Sequence, residues 1–231
     1  MNNKIDQIIP NQDKALMLAQ REVAVFVYDA VQLEGINFTL PEIQTLLEGI
    51  TVGGHKLGEQ QIAINQGNAW RYLFSCIKSK KYLLNIDFVC QLHHIAAKEE
   101  ALEWGKFRSG NVTIAGTSYN PPDAKKLPEL FDSMFDEIKT IDNIYDQAIS
   151  VFLNMARNQY FYDVNKRMGR FIMNAILLNA GYPAINLPAS RQLEFNQLML
   201  NFYNSNNKQP MIDFMKTCLD KRIIKIMSEY A

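Results

Sequence analysis

The chain has 231 residues, 48% of them hydrophobic and 21% charged, which is enough apolar content to bury a sizeable core in one large domain. Lys plus Arg and Asp plus Glu both number 24, and no basic stripe is present. The surface that counterion release on nucleic acid requires is therefore missing, no nucleic-acid partner is expected, and any anion site must be local. Three widely spaced cysteines, Cys76, Cys90 and Cys218, argue against a disulfide framework or zinc-ligand spacing and fit a reducing compartment.

The start, "MNNKIDQIIPNQDKAL", lacks the apolar run of a secretory signal, and no stretch approaches the length needed to span a bilayer. A cytoplasmic protein without a membrane span is expected, with export by an unrecognised signal left open. From Asn11 to Leu33 the spacing of Leu16, Ala19, Val23, Val27 and Val31 predicts one long helix, with Asn11 as N-cap and Gly35 after its end. Thr39 and Glu42 form a capping box for the next helix, with Pro41 in its first turn and Gly49 as its stop. Two further helices are expected from about Glu59 through "NAWRYLFSCIKS" and from about Asn85 through "FVCQLHHIAAKEEALEW".

The pattern changes at Gly105. In "GKFRSGNVTIAGTSYNPP", β-favouring residues alternate around Ala115-Gly116 and predict a short β-hairpin near residues 107–120, closed off by Pro121-Pro122. Helices are then expected near 123–139, 142–158, 165–180, 189–204 and 208–229. No internal repeat or long linker divides the chain. The expected fold class is all-α, mostly helical, with a single short hairpin.

The stretch "NQYFYDVNKRMGRF", Asn158 to Phe171, carries the strongest chemical signal. Asp163-Val164-Asn165-Lys166-Arg167 reads as a turn feeding a helix N-terminus, whose free N–H groups and partial positive charge suit phosphate. Arg167 and Arg170 share one face of the first turn. Two cations there oppose the helix dipole by roughly 0.3–1 kcal/mol each, a cost that an anion between them offsets. Asp163 adds a carboxylate suited to Mg²⁺, which takes one or two carboxylates plus phosphate oxygens. An N-cap Asp with solvated basic residues after it accounts for the same residues equally well.

The segment from Gln159 to Arg170 resembles the signature of Fic proteins, His-Pro-Phe-x-(Asp/Glu)-Gly-Asn-(Gly/Lys)-Arg-x-x-Arg, matching it at Phe161, Asp163, Asn165, Lys166, Arg167 and Arg170. "GRFIMNAILLNAGYP" resembles the stretch C-terminal to the signature in that family, and the expected hairpin is similar to the family's flap, which holds a target segment by strand addition. The resemblance implies a single Fic-like domain over 1–231, with a helical extension over about 1–84, a core over about 85–204 and a C-terminal helix over about 205–231. It further implies ATP with Mg²⁺ and AMP transfer to a Ser, Thr or Tyr hydroxyl of a target protein; a homo-oligomer is left open. By the same resemblance Asp163 would hold the metal, and Asn165, Lys166, Arg167, Gly169 and Arg170 the phosphates. Val112, Thr113, Ile114, Ala115 and Gly116 would dock the target.

Three motif positions depart from the family. Gln159 stands where the family has its general base, His, and an amide cannot take a proton near neutral pH, a loss of roughly 10²–10⁴-fold. Val164 replaces a glycine that permits positive φ, and Tyr160 replaces a proline. Of the histidines His55, His93 and His94, none has a spacing that names it as a substitute base. "DAVQLEGINFTLPE" resembles the inhibitory helix of many Fic proteins through Glu34-Gly35, with Ala30 where Ser or Thr is usual, and implies a brake in which Glu34 pairs with Arg170. An exposed Glu before a C-cap glycine is the plainer account. Three functions are compatible with these residues: an attenuated AMP-transferase, a catalytically inactive module that binds nucleotide or protein, and a phosphate transfer like that of the Doc toxins, whose motif Lys166 resembles.

Overall fold

The computed structural model describes residues 4–229. Eleven α-helices are present among them: α1 (Gln12–Arg21), α2 (Val23–Leu33), α3 (Leu40–Leu47), α4 (Leu57–Lys78), α5 (Ile86–Ala96), α6 (Leu127–Lys139), α7 (Ile144–Asn158), α8 (Asn165–Asn179), α9 (Gln192–Ser205), α10 (Gln209–Lys216) and α11 (Lys221–Ser228). Local side-chain bonds set several of the starts. Asn11 accepts from the Lys14 N–H at 2.9 Å, and Asn85 accepts from that of Phe88 at 2.8 Å. Thr39 and Glu42 close their capping box, so orphan N–H groups of three helices are satisfied within one turn of chain.

The helix expected from Asn11 to Leu33 is two helices that meet at Glu22. α1 lies on α8 and α11, whereas α2 lies on α3 and α4, so the two halves serve different neighbours. The helix expected from Asn85 through Trp104 stops at Ala96, where the chain turns through a left-handed Glu99, φ 62°. The helix expected over 208–229 is likewise split, and Asp220 caps α11 by accepting from the Arg222 N–H at 2.7 Å.

α7 and α8 form the centre. Ala148, Ile149, Val151, Phe152, Leu153, Met155 and Ala156 of α7 are each 0% exposed, so this helix is apolar on nearly every side, as a core helix must be. α8 runs beside it, and α4 and α5 cover the other sides of α8. Gly169 makes the closest approach possible: a Cβ there would lie 2.9 Å from the Phe152 carbonyl oxygen. Gly169 is thus a packing position between the two helices, not the phosphate contact expected of it. Buried residues from every helix join one apolar cluster.

The expected β-hairpin over 107–120 does not form, and no strand occurs among the described residues. Residues 109–122 make no backbone-to-backbone hydrogen bond. The second arm is held by α9 and α7 instead of by the first arm. Thr117 Oγ1 donates to Asn204 Oδ1 at 2.6 Å, Tyr119 stacks on Tyr203, and the Arg157 guanidinium lies 3.9 Å over the Tyr119 ring. Alternating β-formers are a preference for an extended, half-buried surface, and here that surface is a helix.

Candidate functional site: the turn between α7 and α8

α7 ends at Gln159, which takes a left-handed conformation with φ 51°. Tyr160 and Phe161 then enter the core, both 0% exposed. Phe161 stacks on His93 with ring centroids 3.7 Å apart and planes 7° from parallel. Tyr160 donates its hydroxyl to Asn154 Oδ1 at 2.9 Å and accepts from Asn158 Nδ2 at 3.1 Å. A tyrosine in place of proline thus gives the turn a deep aromatic anchor.

Asn165 is the cross-brace. Its Oδ1 accepts from the Phe161 N–H at 2.9 Å, and its Nδ2 donates to the Phe161 carbonyl at 2.7 Å and to Gln159 Oε1 at 3.0 Å. With its side chain spent on the turn and 4% exposed, Asn165 shapes the cradle and is not free to contact phosphate itself. The Gln159 amide is engaged at both ends, since its Nε2 donates to the Ala156 carbonyl at 2.5 Å. Val164 adopts φ 66°, ψ 10°. A β-branched residue in this region bears strain of about 1–3 kcal/mol, yet the turn keeps the backbone that glycine would give it. Asp163 is exposed, and its Oδ1 accepts from the Val164 N–H at 2.7 Å. Among the described residues no three His, Cys, Asp or Glu side chains cluster as metal ligands, so Asp163 would hold Mg²⁺ only with phosphate oxygens completing the shell. An exposed carboxylate beside a helix start fits that role.

The two arginines differ sharply. Arg167, 3% exposed, forks onto Glu100 with Nη1 at 2.8 Å from Oε2 and Nη2 at 2.6 Å from Oε1, and its Nε lies 3.5 Å from Glu34 Oε1. Burial opposes its charge, but the bonds from Glu100 and the charge of Glu34 more than offset this, so its pKa stands above the ordinary value. The partner expected for Glu34, Arg170, makes no ion pair among the described residues. Arg170 lies one turn further along α8, beneath α2, where its Nη2 is buried without a hydrogen-bond partner. Burial pulls its pKa down to about 10, against the attraction of Glu34. A cavity of about 30 Å³ adjoins it, lined by Ala30, Leu33, Gln66, Arg170, Asn174 and Asn186, and Gln66 Nε2 is also buried and unpartnered. Lys166 is exposed. Gly35, at φ 78°, ends α2 as a C-cap glycine does.

None of the three histidines stands in for a base. His93 is buried; its Nδ1 accepts from the Gly105 N–H at 3.1 Å and its Nε2 faces the Asp163 carbonyl at 3.4 Å. Burial lowers its pKa to about 4, so it supports the turn as a neutral ring. His55 stacks on Phe38 and contacts Glu42, and exposed His94 packs beside Gly105.

Sequence reasoning missed two residues. Glu100 gives no signal beyond being one of four acids, with Asp87, Glu99 and Glu103, in the expected helix. Arg108 is 2% exposed and bonds only to main-chain carbonyls: Nε to Gln159 at 2.6 Å, Nη1 to Gly110 at 2.6 Å, and Nη2 to Pro122 at 2.5 Å. Val112, Thr113, Ile114, Ala115 and Gly116 lie in the segment between those last two carbonyls, their backbone groups unpaired with other backbone.

Comparison with known proteins agrees with this geometry. Residues 83–177 match the Fic/DOC family. The chain is 25% identical over 222 residues to Protein adenylyltransferase Fic of Drosophila erecta, covering 93% of this chain and 44% of that protein; it therefore spans less than half the length of the curated relatives it matches. Its fold is shared with a Fic domain containing signaling protein from Bacteroides thetaiotaomicron, at TM-score 0.78 and 18% identity over 98% of this chain and 92% of the other. It is also shared with Fic-1 (aa134–508) from C. elegans, at TM-score 0.77 and 17% identity over 98% and 64%. With the motif on the α7–α8 turn and these matches around it, residues 83–177 are similar to the Fic/DOC family and the chain shares the fold of Fic proteins.

Proposed function

We propose that the α7–α8 turn is a nucleotide cradle for ATP with Mg²⁺ in a protein of the adenylyltransferase type, in which AMP transfer to a target hydroxyl is attenuated because Gln159 occupies the position of the general base. The observation that carries this reading is the turn itself: Val164 holds the glycine backbone despite its strain, which keeps the α8 N-terminus open to phosphate, while the Gln159 amide is committed to Ala156 and Asn165. ATP supplies the phosphoryl electrophile when bound. Asp163 would hold the metal, the first N–H groups of α8 the phosphates, and Arg170, the guanidinium without an acid, the far end of the polyphosphate. The extended segment 109–122, with unpaired backbone groups, is the surface for a target strand.

α2 restrains this site. Glu34 lies against Arg167, and Ala30 and Leu33 of α2 close the cavity at Arg170 to a volume that admits water and not a phosphate. Polyphosphate reaches Arg170 only when α2 yields. A second reading, a nucleotide- or protein-binding module without catalysis, is favoured by the Gln159 bonds, since a locked amide removes no proton.

Calorimetry with ATP–Mg²⁺ separates the pocket from the chemistry. Binding is expected to tighten in Glu34→Gly, and no binding to wild type or Glu34→Gly removes the cradle reading. In a Glu34→Gly, Gln159→His variant, mass spectrometry of protein targets is expected to show added AMP. Added phosphate instead supports the Doc-like transfer, and no added group despite bound nucleotide supports the module.

A further inference from the structure

We infer that Arg108 is a positioning residue that fixes the flap segment and residue 159 to one another. A buried guanidinium normally finds a carboxylate. Arg108 finds none within ion-pair distance among the described residues; Nε, Nη1 and Nη2 each donate to a different main-chain carbonyl at 2.5–2.6 Å, and Nη2 also makes a long contact of 3.4 Å with the Asn158 carbonyl. Two of those carbonyls, Gly110 and Pro122, are the two ends of the flap. The third belongs to Gln159, the first position of the motif turn. The Arg108 N–H adds a fourth tie, to the Tyr160 carbonyl at 2.9 Å.

Arginine is the side chain this geometry demands. A planar fork carries five N–H groups in fixed directions, so one side chain closes the ends of the flap and aims the pair at the end of α7. Asn158 is the last residue of α7, and the negative end of the helix dipole there stabilises the cation without a carboxylate. Lysine, a point charge on a flexible stem, cannot reach three carbonyls in three directions. Because the flap has no backbone ladder of its own, it is held by Arg108 at both ends, by Ser109 Oγ against the Tyr162 hydroxyl at 3.2 Å, and by the α7 and α9 contacts of its second arm. A target strand laid on the flap would therefore be registered against residue 159 through this single side chain, a consequence that rests on the docking role proposed for the flap.

The test uses the full chain and neither nucleotide nor target, so its failure is separate from failure of the cradle reading. Limited thermolysin digestion under native conditions is followed at the flap, with cleavage beside Val112 and Ile114 identified by mass spectrometry. In Arg108→Met, flap cleavage is expected to accelerate by about tenfold or more, as expected when hydrogen bonds from a charged donor are lost. Arg108→Lys is expected to fall between it and wild type, and carries the test alone if the Met variant does not fold. Ile43→Val, a fully buried change on α3 away from both the flap and α9, serves as the control for general loosening. Flap cleavage as slow in the Arg108 variants as in wild type, or raised equally in the control at matched thermal midpoint, overturns the assignment.

Discussion

The α7–α8 turn and the segment 109–122 are both irregular, and both lie within the residues that match the Fic/DOC family, but they are held in opposite ways. In the turn, side chains replace the missing ladder: Asn165 brackets Phe161, Asp163 caps Val164, and Phe161 is clamped on His93. In the flap no backbone group bonds to another, and order is imposed from outside by Arg108, Asn204 and Tyr203. A buried segment must satisfy its polar groups internally. An exposed one can leave them to water, and so keeps them available for a partner strand.

This contrast can be broken most forcefully at Arg167. Arg167→Ala leaves the Glu100 and Glu34 carboxylates without their cation, and loss of one partner of a buried pair costs roughly 3–5 kcal/mol. Urea unfolding should show it; a loss below about 1 kcal/mol would mean the fork onto Glu100 is not formed in solution. Next in size is the pH dependence through His93. Its folded pKa is about 4 against an ordinary 6.5, so the unfolded chain binds the proton first as pH falls. The contribution is complete above about pH 6.5 and is lost between there and about pH 4, amounting to about 3 kcal/mol at most. Unfolding curves at pH 7 and pH 4.5 should therefore diverge more for wild type than for His93→Leu, and equal divergence would contradict a buried neutral ring.

A smaller effect sharpens the account of the turn. At Val164 the usual order of alanine over glycine should invert: Val164→Gly relieves positive φ and Val164→Ala does not, while both lose the two γ-methyl groups and glycine loses only Cβ besides. Val164→Gly is expected to be more stable than Val164→Ala by about 1 kcal/mol, and the opposite order would mean the turn does not hold φ 66° in solution. The smallest effect belongs to the flap. Thr117→Ala removes an exposed bond to Asn204 and should change global stability by about 0.5 kcal/mol or less, while speeding proteolysis of residues 109–122. A loss of several kcal/mol there would erase the difference between the two segments.

Helix starts were legible at Asn11, Thr39 and Asn85, where a cap directly precedes the helix, but not at Asp220, whose cap lies inside a continuing apolar pattern. The breaks at Glu22 and after Ala96 were not legible, because the apolar spacing continues through both and only the change of neighbour ends the helix. Within the site, the motif positions were readable but several of their tasks were not. Gly169 has the look of a phosphate loop glycine and is a helix contact, and Asn165 serves the turn before any ligand. Glu34 meets the first arginine, not the second.

The sequence by itself determined a mostly helical chain, the turn before α8, the C-cap glycine Gly35 after Glu34, and a glutamine at residue 159 where the turn begins. These depend on residue type and on spacings of a few positions. Tertiary structure alone decided that Glu100 neutralises Arg167 across 67 residues, that the half-buried Arg170 has its Nη2 buried without an acid, and that the β-patterned flap rests on α7, α9 and Arg108 instead of on itself. Such pairings are set by which helices pack together, and a carboxylate or an extended arm accepts whatever complementary surface the fold brings to it.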